Sequence, residues 1–282
     1  MSVLGSVVSR DGSVVGFEVT GHGPPLVLVH GGTADRGRWA PVLRQLADRF
    51  TVYAVDRRGR GLSTAEAETY ALAREGEDIA AVAEAAGRDV YVVAHSYGAL
   101  CALEAAALTD AIGRMVLYEP PIPTAGNPVF TAAVRDRIRS APDPETRLET
   151  FFREVIHVPD SELPAMKRTP VWQARLAAVH TIVRELDAVE AFTVTPRLAG
   201  ISVPVRLFLG TESPAYFAPA AEAVVAALPH ADIVELRGQD HLAIDRAPEE
   251  FVTGVVGFVS GIGGLYRPKH KRPRLRWWGR GS

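Results

Sequence analysis

Two side chains in this sequence have the types needed to activate a hydroxyl group, and each follows an apolar run. Ser96 lies in the segment AHSYG, between the run VYVVAH and the small-residue stretch ALCALEAAAL. His241 follows the run DIVEL, in the segment GQDHLAIDRAPEEF. A serine hydroxyl is a weak nucleophile until a base takes its proton, and histidine is suited to that work at neutral pH. The pattern therefore predicts that Ser96 is a nucleophile and that His241 is its base.

The residues around Ser96 predict a sharp turn from a strand into a helix. Such a turn exposes the hydroxyl and brings its backbone close to neighbouring segments, so small residues are needed two positions on either side. Ala94 and Gly98 stand at those positions. The N-terminus of the following helix offers backbone N–H groups to a developing negative charge. The alternative is a structural serine in an ordinary turn, because short serine–glycine pairs are common there.

The elements that must position these residues alternate along the chain. Apolar runs of Val, Leu and Ile alternate with segments of helical spacing, which is typical of a mostly parallel sheet with helices on both faces. The runs around residues 4–19 predict an opening antiparallel hairpin. From about residue 120 to residue 202 only helical stretches occur, including a long one over Val171–Val189. Helices inserted after a strand, over the carboxyl edge of such a sheet, are typical of a cap above the ligand crevice.

We therefore expect an α/β core formed by residues 1–119 and 203–262, a helical cap formed by residues 120–202, and a tail formed by residues 266–282. The last 16 residues contain seven Lys or Arg and no acid, which leaves 24 basic against 33 acidic residues in the body. A body with a net charge near −9 is not expected to bind nucleic acid. The tail is interpreted as a solvated, disordered extension, although it could contact an anionic partner.

These features resemble the α/β-hydrolase superfamily over nearly all of residues 14–260. AHSYG is similar to the GxSxG turn of that superfamily, with Ala94 in place of the first glycine, and DRRGRGLS at residues 56–63 is similar to its DxRGxGxS turn. We assign that second turn a structural role. The resemblance implies an eight-stranded, mostly parallel sheet with an inserted helical cap, and a serine-nucleophile, esterase-like activity.

The resemblance also implies where an oxyanion would be bound. The segment HGGT at residues 30–33 follows the run LVLVH, where the superfamily places the loop that donates one oxyanion N–H group. The implied donors are the backbone N–H groups of Gly32 and Tyr97. The alternative is a plain turn that ends a strand, and His30 itself is expected to be a packed core histidine.

The third member of a catalytic triad should be a carboxylate that orients the imidazole. The superfamily most often carries it after the seventh strand, in a sequence like GxxDP, but this chain reads GTESP there, so that Ser213 occupies the place of the aspartate. The neighbouring Glu212 is offset by one residue. Some members, including certain dehalogenases, carry the acid after the sixth strand instead, and LYEPP places Glu119 there. We predict Glu119 as the acid, with Glu212 as the alternative; Asp240 is expected to point elsewhere.

The predicted function is hydrolysis of an ester or related acyl bond in a small, largely apolar molecule, through Ser96, His241, Glu119 and an acyl-enzyme. Acyltransferase, C–C hydrolase and cyclase activities use the same apparatus and stay open, as does a non-catalytic ligand-binding role. The aromatic residues of the predicted cap are expected to form its core more often than to contact ligand; they are Phe151, Phe152, Trp172 and Phe192.

No metal-ligand spacing or phosphate-binding glycine loop is present, so no cofactor and no metal are expected. A single cysteine, Cys101, excludes an intrachain disulfide and favours a cytoplasmic setting, with an inert buried thiol. No apolar stretch reaches about 18 residues, so no membrane span is expected. The sequence leaves the oligomeric state open.

Overall fold

The computed structural model describes residues 2–64, 69–194 and 198–261, in which eight strands form one sheet. The strand order is β1-β2-β4-β3-β5-β6-β7-β8. The strands are β1 (Val3–Val8), β2 (Val14–Gly21), β3 (Pro25–Val29), β4 (Thr51–Val55), β5 (Val90–His95), β6 (Ile112–Tyr118), β7 (Val205–Gly210) and β8 (Ala231–Leu236). The β2 strand runs antiparallel to β1 and β4, and the other neighbours are parallel. The predicted fold class, including the opening hairpin, is confirmed.

Helices connect these strands. They are α1 (Ala40–Ala47), α2 (Leu72–Ala86), α3 (Tyr97–Ala106), α4 (Ala132–Arg139), α5 (Pro144–Glu154), α6 (Leu163–Met166), α7 (Pro170–Ala177), α8 (Ile182–Ala191), α9 (Phe217–Ala227), α10 (Ala243–Arg246) and α11 (Pro248–Val259). The continuous helix predicted over Val171–Val189 is wrong, because a 3₁₀ turn at Val179–Thr181 separates α7 from α8. The Thr181 hydroxyl donates to the Ala178 carbonyl at this break.

Both faces of the sheet are covered, which explains why the central strand β3 is apolar at every position. Val27 and Val29 of β3 pack into the cluster that contains α2 and α3 residues, whereas Leu26 and Leu28 pack into the cluster that contains α1 and α11 residues. Successive side chains of a strand point to opposite faces, so a strand buried on both sides cannot alternate apolar with polar residues.

The segment between β6 and β7 contains α4 to α8 and no sheet strand among its described residues. Its division from the core as a cap at residues 120–202 stays a prediction, and we refer to α4–α8 as the insertion helices. The predicted tail at residues 266–282 lies outside the described residues. Within the described part of the chain, no helix combines the length and the apolar character that crossing a membrane requires.

The direction of the strands decides what can meet at the site. Because β5, β6, β7 and β8 are parallel neighbours, their carboxyl ends lie at one edge of the sheet. Ser96, Glu119 and His241 come from three segments that follow β5, β6 and β8. This topology gathers residues that are 145 positions apart in sequence, from 96 to 241, at one edge.

Candidate active site

Ser96 occupies the turn between β5 and α3 in a strained backbone conformation. Its φ is 56° and its ψ is −126°, a region that non-glycine residues rarely adopt and that is often found at functional sites. The Ser96 N–H donates to the Tyr118 carbonyl at 2.8 Å, which ties the turn to β6. A Cβ at Gly98 would lie 2.4 Å from the His30 carbonyl oxygen, so this position needs glycine.

His241 lies after β8 and is held by a carboxylate. Its Nδ1 is 2.6 Å from Glu119 Oε2, and its ring stacks on Phe217 with centroids 4.7 Å apart. A carboxylate at Nδ1 keeps the imidazole proton on that nitrogen, which leaves Nε2 as the atom able to accept a proton. His241 is 4% exposed, so bulk water has little access to the pair.

Glu119 follows the last residue of β6 and uses both of its carboxylate oxygens. Oε2 faces His241, and Oε1 accepts the Gly210 N–H at 2.7 Å. The residue is 1% exposed, and its φ of 50° is unusual for a glutamate. A buried carboxylate with two partners in fixed positions has little freedom to rotate, so it can orient the imidazole.

The alternative acid lies in a different environment. Glu212 is exposed, and its carboxylate accepts only the Thr211 hydroxyl, at 3.5 Å, among the hydrogen bonds of the described residues. Ser213, in the place where the aspartate was expected, has a buried Oγ with no partner in the described part of the chain. Asp240 forms an ion pair with Arg246 at 2.8 Å, so it points away from the imidazole beside it.

His95 was not predicted as a site residue, and it contacts both the backbone and the ring of His241. Its Nε2 donates to the His241 carbonyl at 3.2 Å, and the two rings lie 4.5 Å apart. Burial, followed by the charge of His241, holds the pKa of His95 well below its ordinary value, so this ring stays neutral. Its position directly before Ser96 was the signal that could have identified it.

The glycine loop after β3 packs directly against the nucleophile. A Cβ at Gly31 would lie 2.9 Å from the Ser96 Cβ, and a Cβ at Gly32 would lie 3.0 Å from Glu185 Oε2. Neither position can accept a larger residue without movement of its neighbours. Gly32 and Tyr97, the predicted oxyanion donors, line the same cavity as Ser96. Their role as donors stays a prediction.

The loop after β4 fixes this glycine loop through a buried ionic network. The Arg57 guanidinium binds both Glu75 oxygens, at 2.7 and 2.5 Å, and also donates to Glu185 of α8 at 2.9 Å. Its backbone N–H donates to His30 Nε2 at 3.1 Å. His30 is completely buried, and burial holds its pKa well below the ordinary value. Arg57 and His30 are both buried between the two loops, in positions that fit the structural role predicted for each.

Two small cavities meet at Ser96. Each has a volume of about 30 Å³, enough for only about two water molecules. Ser96, Gly32, Phe151 and Ile156 line both of them. The cationic cavity is also lined by Gly31, Arg38, His95, Arg175 and His241. The apolar cavity is also lined by Val129, Phe130, Val155, Ile182, Leu186 and Val189, with Glu185 as its carboxylate.

A larger space lies outside these cavities. This outer groove has a volume of about 500 Å³ and is lined in part by His157, Glu212, Ser213 and His241. His241 therefore borders both the groove and the cationic cavity. The outer groove and the cationic cavity are therefore adjacent at the imidazole.

Of the four aromatic residues considered in the predicted cap, two line the inner cavities and two are buried elsewhere. Phe151 lines both inner cavities, and Phe152 lines the cationic one. Trp172 is buried against Phe152, with ring centroids 5.7 Å apart, and Phe192 is also buried. Neither Trp172 nor Phe192 lines either inner cavity.

Arg38 and Arg175 also line the cationic cavity, and no sequence pattern identified them. Arg38 belongs to the 3₁₀ turn Arg36–Trp39, and Arg175 belongs to α7. Arginines are usually exposed on helix surfaces, and only the tertiary structure shows that these two line the cavity that Ser96 lines.

The described residues contain no group of three or more His, Cys, Asp or Glu side chains that could hold a metal ion. Cys101 is completely buried in α3, and its Sγ lies 3.4 Å from the Tyr97 carbonyl. Burial raises the pKa of this thiol well above its ordinary value, so it does not form a reactive thiolate.

A strained serine turn, a histidine–carboxylate pair and a glycine loop at one edge of such a sheet define an α/β-fold hydrolase. The model of the alpha/beta hydrolase family matches residues 26–253, and the chain belongs to that family.

Proteins similar to this chain are hydrolases. A 2-(acetamidomethylene)succinate hydrolase of Mesorhizobium japonicum is 26% identical over 263 residues, which cover 85% of this chain and 89% of that protein. The crystal structure of an alpha/beta hydrolase from Sphaerobacter thermophilus is 32% identical, with a TM-score of 0.76, and the match covers 89% of this chain and 99% of that one. The esterase RhEst1 from Rhodococcus is 26% identical, with a TM-score of 0.75, over 92% of this chain and 99% of that one.

Proposed function

We propose that this chain is a serine hydrolase that cleaves an ester or related acyl bond of a small, largely apolar molecule through Ser96, His241 and Glu119. The observation that carries the proposal is the 2.6 Å contact between His241 Nδ1 and Glu119 Oε2. That contact leaves Nε2 free to accept a proton, and His241 borders the cavity that Ser96 lines. Apolar side chains around the second cavity support an apolar part of the substrate.

The reaction follows from this arrangement in two halves. His241 Nε2 takes the Ser96 proton as Oγ attacks the substrate carbonyl, and the negative charge on the carbonyl oxygen is bound by the N–H groups of Gly32 and Tyr97. The leaving group departs with the proton from His241, which leaves an acyl-enzyme. Water, deprotonated by the same imidazole, then releases the acid and restores Ser96. Glu119 stabilises the imidazolium in both halves.

Substrate entry requires movement of the insertion helices, because both inner cavities are small. Phe151 and Ile156 line both cavities, so these side chains are the ones a substrate displaces as it passes from the outer groove. Closure behind the substrate would exclude water from the developing charges, which strengthens each electrostatic contact.

A second candidate is hydrolysis of an amide. The relative from Mesorhizobium japonicum is named for a substrate with an acetamido group. The same triad and acyl-enzyme serve both bonds, and the difference lies in how well His241 protonates a leaving amine.

A neutral fluorophosphonate tests the proposal, because it labels only an activated serine. We expect stoichiometric labelling at Ser96, none in Ser96→Ala, and turnover of p-nitrophenyl butyrate by the unlabelled protein. Turnover of the matched butyryl anilide then distinguishes amide from ester hydrolysis. A folded protein that is neither labelled nor active on either compound would overturn the proposal in favour of a ligand-binding member of the family.

A further inference from the structure

Arg175 is a buried cation in the cationic cavity beside the nucleophile. It is 9% exposed, its Nη1 donates to Thr33 Oγ1 at 2.9 Å, and its guanidinium lies over the Phe152 ring at 4.9 Å. Among the described residues no carboxylate forms an ion pair with it, and no hydrogen bond uses its Nε or Nη2. Thr33 follows Gly32, so this contact fixes Arg175 of α7 to the glycine loop.

Arg38 brings a second guanidinium to the same cavity. It is 6% exposed, and its Nη1 pairs with Asp245 at 2.8 Å. That partner is half-exposed, with 49% of its side chain accessible to water. The Nη2 atom of Arg38 is buried and has no hydrogen-bond partner in the described part of the chain. The cavity therefore contains two cations and unused N–H donors.

The burial of the Arg175 charge is costly. Burial, followed by the charge of Arg38, lowers the pKa of Arg175 to about 10. Arg175 is still protonated at neutral pH, so its burial carries a free-energy cost, which the charges of Asp245 and Asp35 offset only in part. An apolar residue would fill this position without that cost.

The geometry points to a carboxylate-binding subsite: we propose that Arg175 and Arg38 hold a carboxylate carried by the acyl substrate, in the cationic cavity beside Ser96. This inference rests on the proposed serine hydrolase function and adds the charge of the substrate to it. Guanidinium groups suit a planar carboxylate, which accepts two parallel N–H bonds. The small volume of the cavity favours a carboxylate over a bulkier phosphate. The substrate then has an anionic end in this cavity and an apolar part in the other.

Protection of Ser96 against labelling measures this subsite directly. The rate of labelling of the full-length protein by a neutral fluorophosphonate is followed against acetate, succinate and glutarate at fixed ionic strength. The uncharged controls are acetamide, succinamide and glutaramide. We expect at least one carboxylate to slow labelling competitively at concentrations at which its amide has no effect.

Variants assign the effect to the two arginines. In Arg175→Met and in Arg38→Met the carboxylate concentration for half-protection should rise by about 10- to 100-fold, as expected for the loss of a charge-assisted hydrogen bond. Arg139→Met is the matched control, because Arg139 is an exposed arginine of α4 paired with Asp187, and it should leave protection unchanged. Near-UV circular dichroism and the thermal unfolding midpoint verify folding. If Arg175→Met does not fold, Arg175→Lys is used instead. It keeps the positive charge but lacks the paired donors of a guanidinium, so the carboxylate concentration for half-protection should rise by about 3- to 10-fold.

The outcomes separate this inference from the function on which it rests. Labelling that carboxylates and amides slow equally, or not at all, would overturn the subsite alone. Protection that is unchanged in both Arg175 and Arg38 variants would overturn it as well. A wild-type protein that is not labelled in any condition would overturn the proposed function and the subsite together.

Discussion

The ends of β6 and β7 contribute differently to the contact between Glu119 and His241. At the end of β6, Glu119 is buried, with both carboxylate oxygens bonded, one to His241 and one to Gly210. At the end of β7, Glu212 is exposed, and the Ser213 hydroxyl has no hydrogen-bond partner among the described residues. The end of β7 nevertheless takes part, because the Gly210 N–H holds the carboxylate that β6 provides.

A carboxylate's partners, more than its place in a motif, decide whether it can orient an imidazole. Glu119 and Glu212 both lie at this edge of the sheet. Glu119 is bonded on both carboxylate oxygens, so its carboxylate is held in one orientation. An exposed glutamate keeps its rotamer freedom and its hydration, and it would lose both on binding His241. Substitutions at the ends of the two strands test this difference.

Glu119→Gln is expected to lower kcat by a factor on the order of 10³ to 10⁴. The amide cannot stabilise the imidazolium, and it favours the wrong imidazole tautomer. Steady-state turnover of p-nitrophenyl butyrate measures the loss, and thermal unfolding verifies the fold. A decrease of less than tenfold would show that another group orients His241.

Gly210→Ala tests the contribution of β7 to the buried carboxylate. An added Cβ would lie 2.4 Å from the Gln239 carbonyl oxygen and 2.7 Å from Ser213 Oγ, so the backbone must move. The Gly210 N–H moves with it, and we expect kcat/KM to fall by about 10- to 100-fold. The matched control is Gly257→Ala in α11, where nothing lies within 4 Å of the new Cβ. Equal activities of the two variants would contradict the role of this N–H group.

Ser213→Asp in the Glu119→Gln background asks whether β7 can supply the acid. The residue lines the outer groove beside His241, and its Oγ has no partner to lose among the described residues. We expect a gain of about tenfold in kcat over Glu119→Gln alone, because a second-site carboxylate restores part of the electrostatic stabilisation. Ser213→Asn in the same background is the uncharged control. An identical gain with asparagine would show that the charge is not the cause.

Glu212→Gln should change kcat/KM by less than about twofold, since an exposed carboxylate is well hydrated and screened by salt. The same ester assay measures it. Should this variant lose activity while Glu119→Gln keeps it, the assignment of the two strand ends would be reversed.

Much of the fold followed from the sequence because each element depends on local pattern. The apolar runs and the residues between them predict the strands, and the parallel sheet follows from their alternation with helices. The break between α7 and α8 could not be predicted, because both sides keep helical spacing.

Ser96 and His241 could be selected from the sequence alone because each stands in a local context that its chemistry requires. For Glu119 the sequence offered only a strand end and a missing aspartate; the 2.6 Å contact with His241 depends on β6 and β8 ending at one edge. Arg38 and Arg175 had no local signal. Only the tertiary structure brings both to the cavity that Ser96 lines, because burial and the charges nearby are properties of the assembled chain rather than of any segment of it.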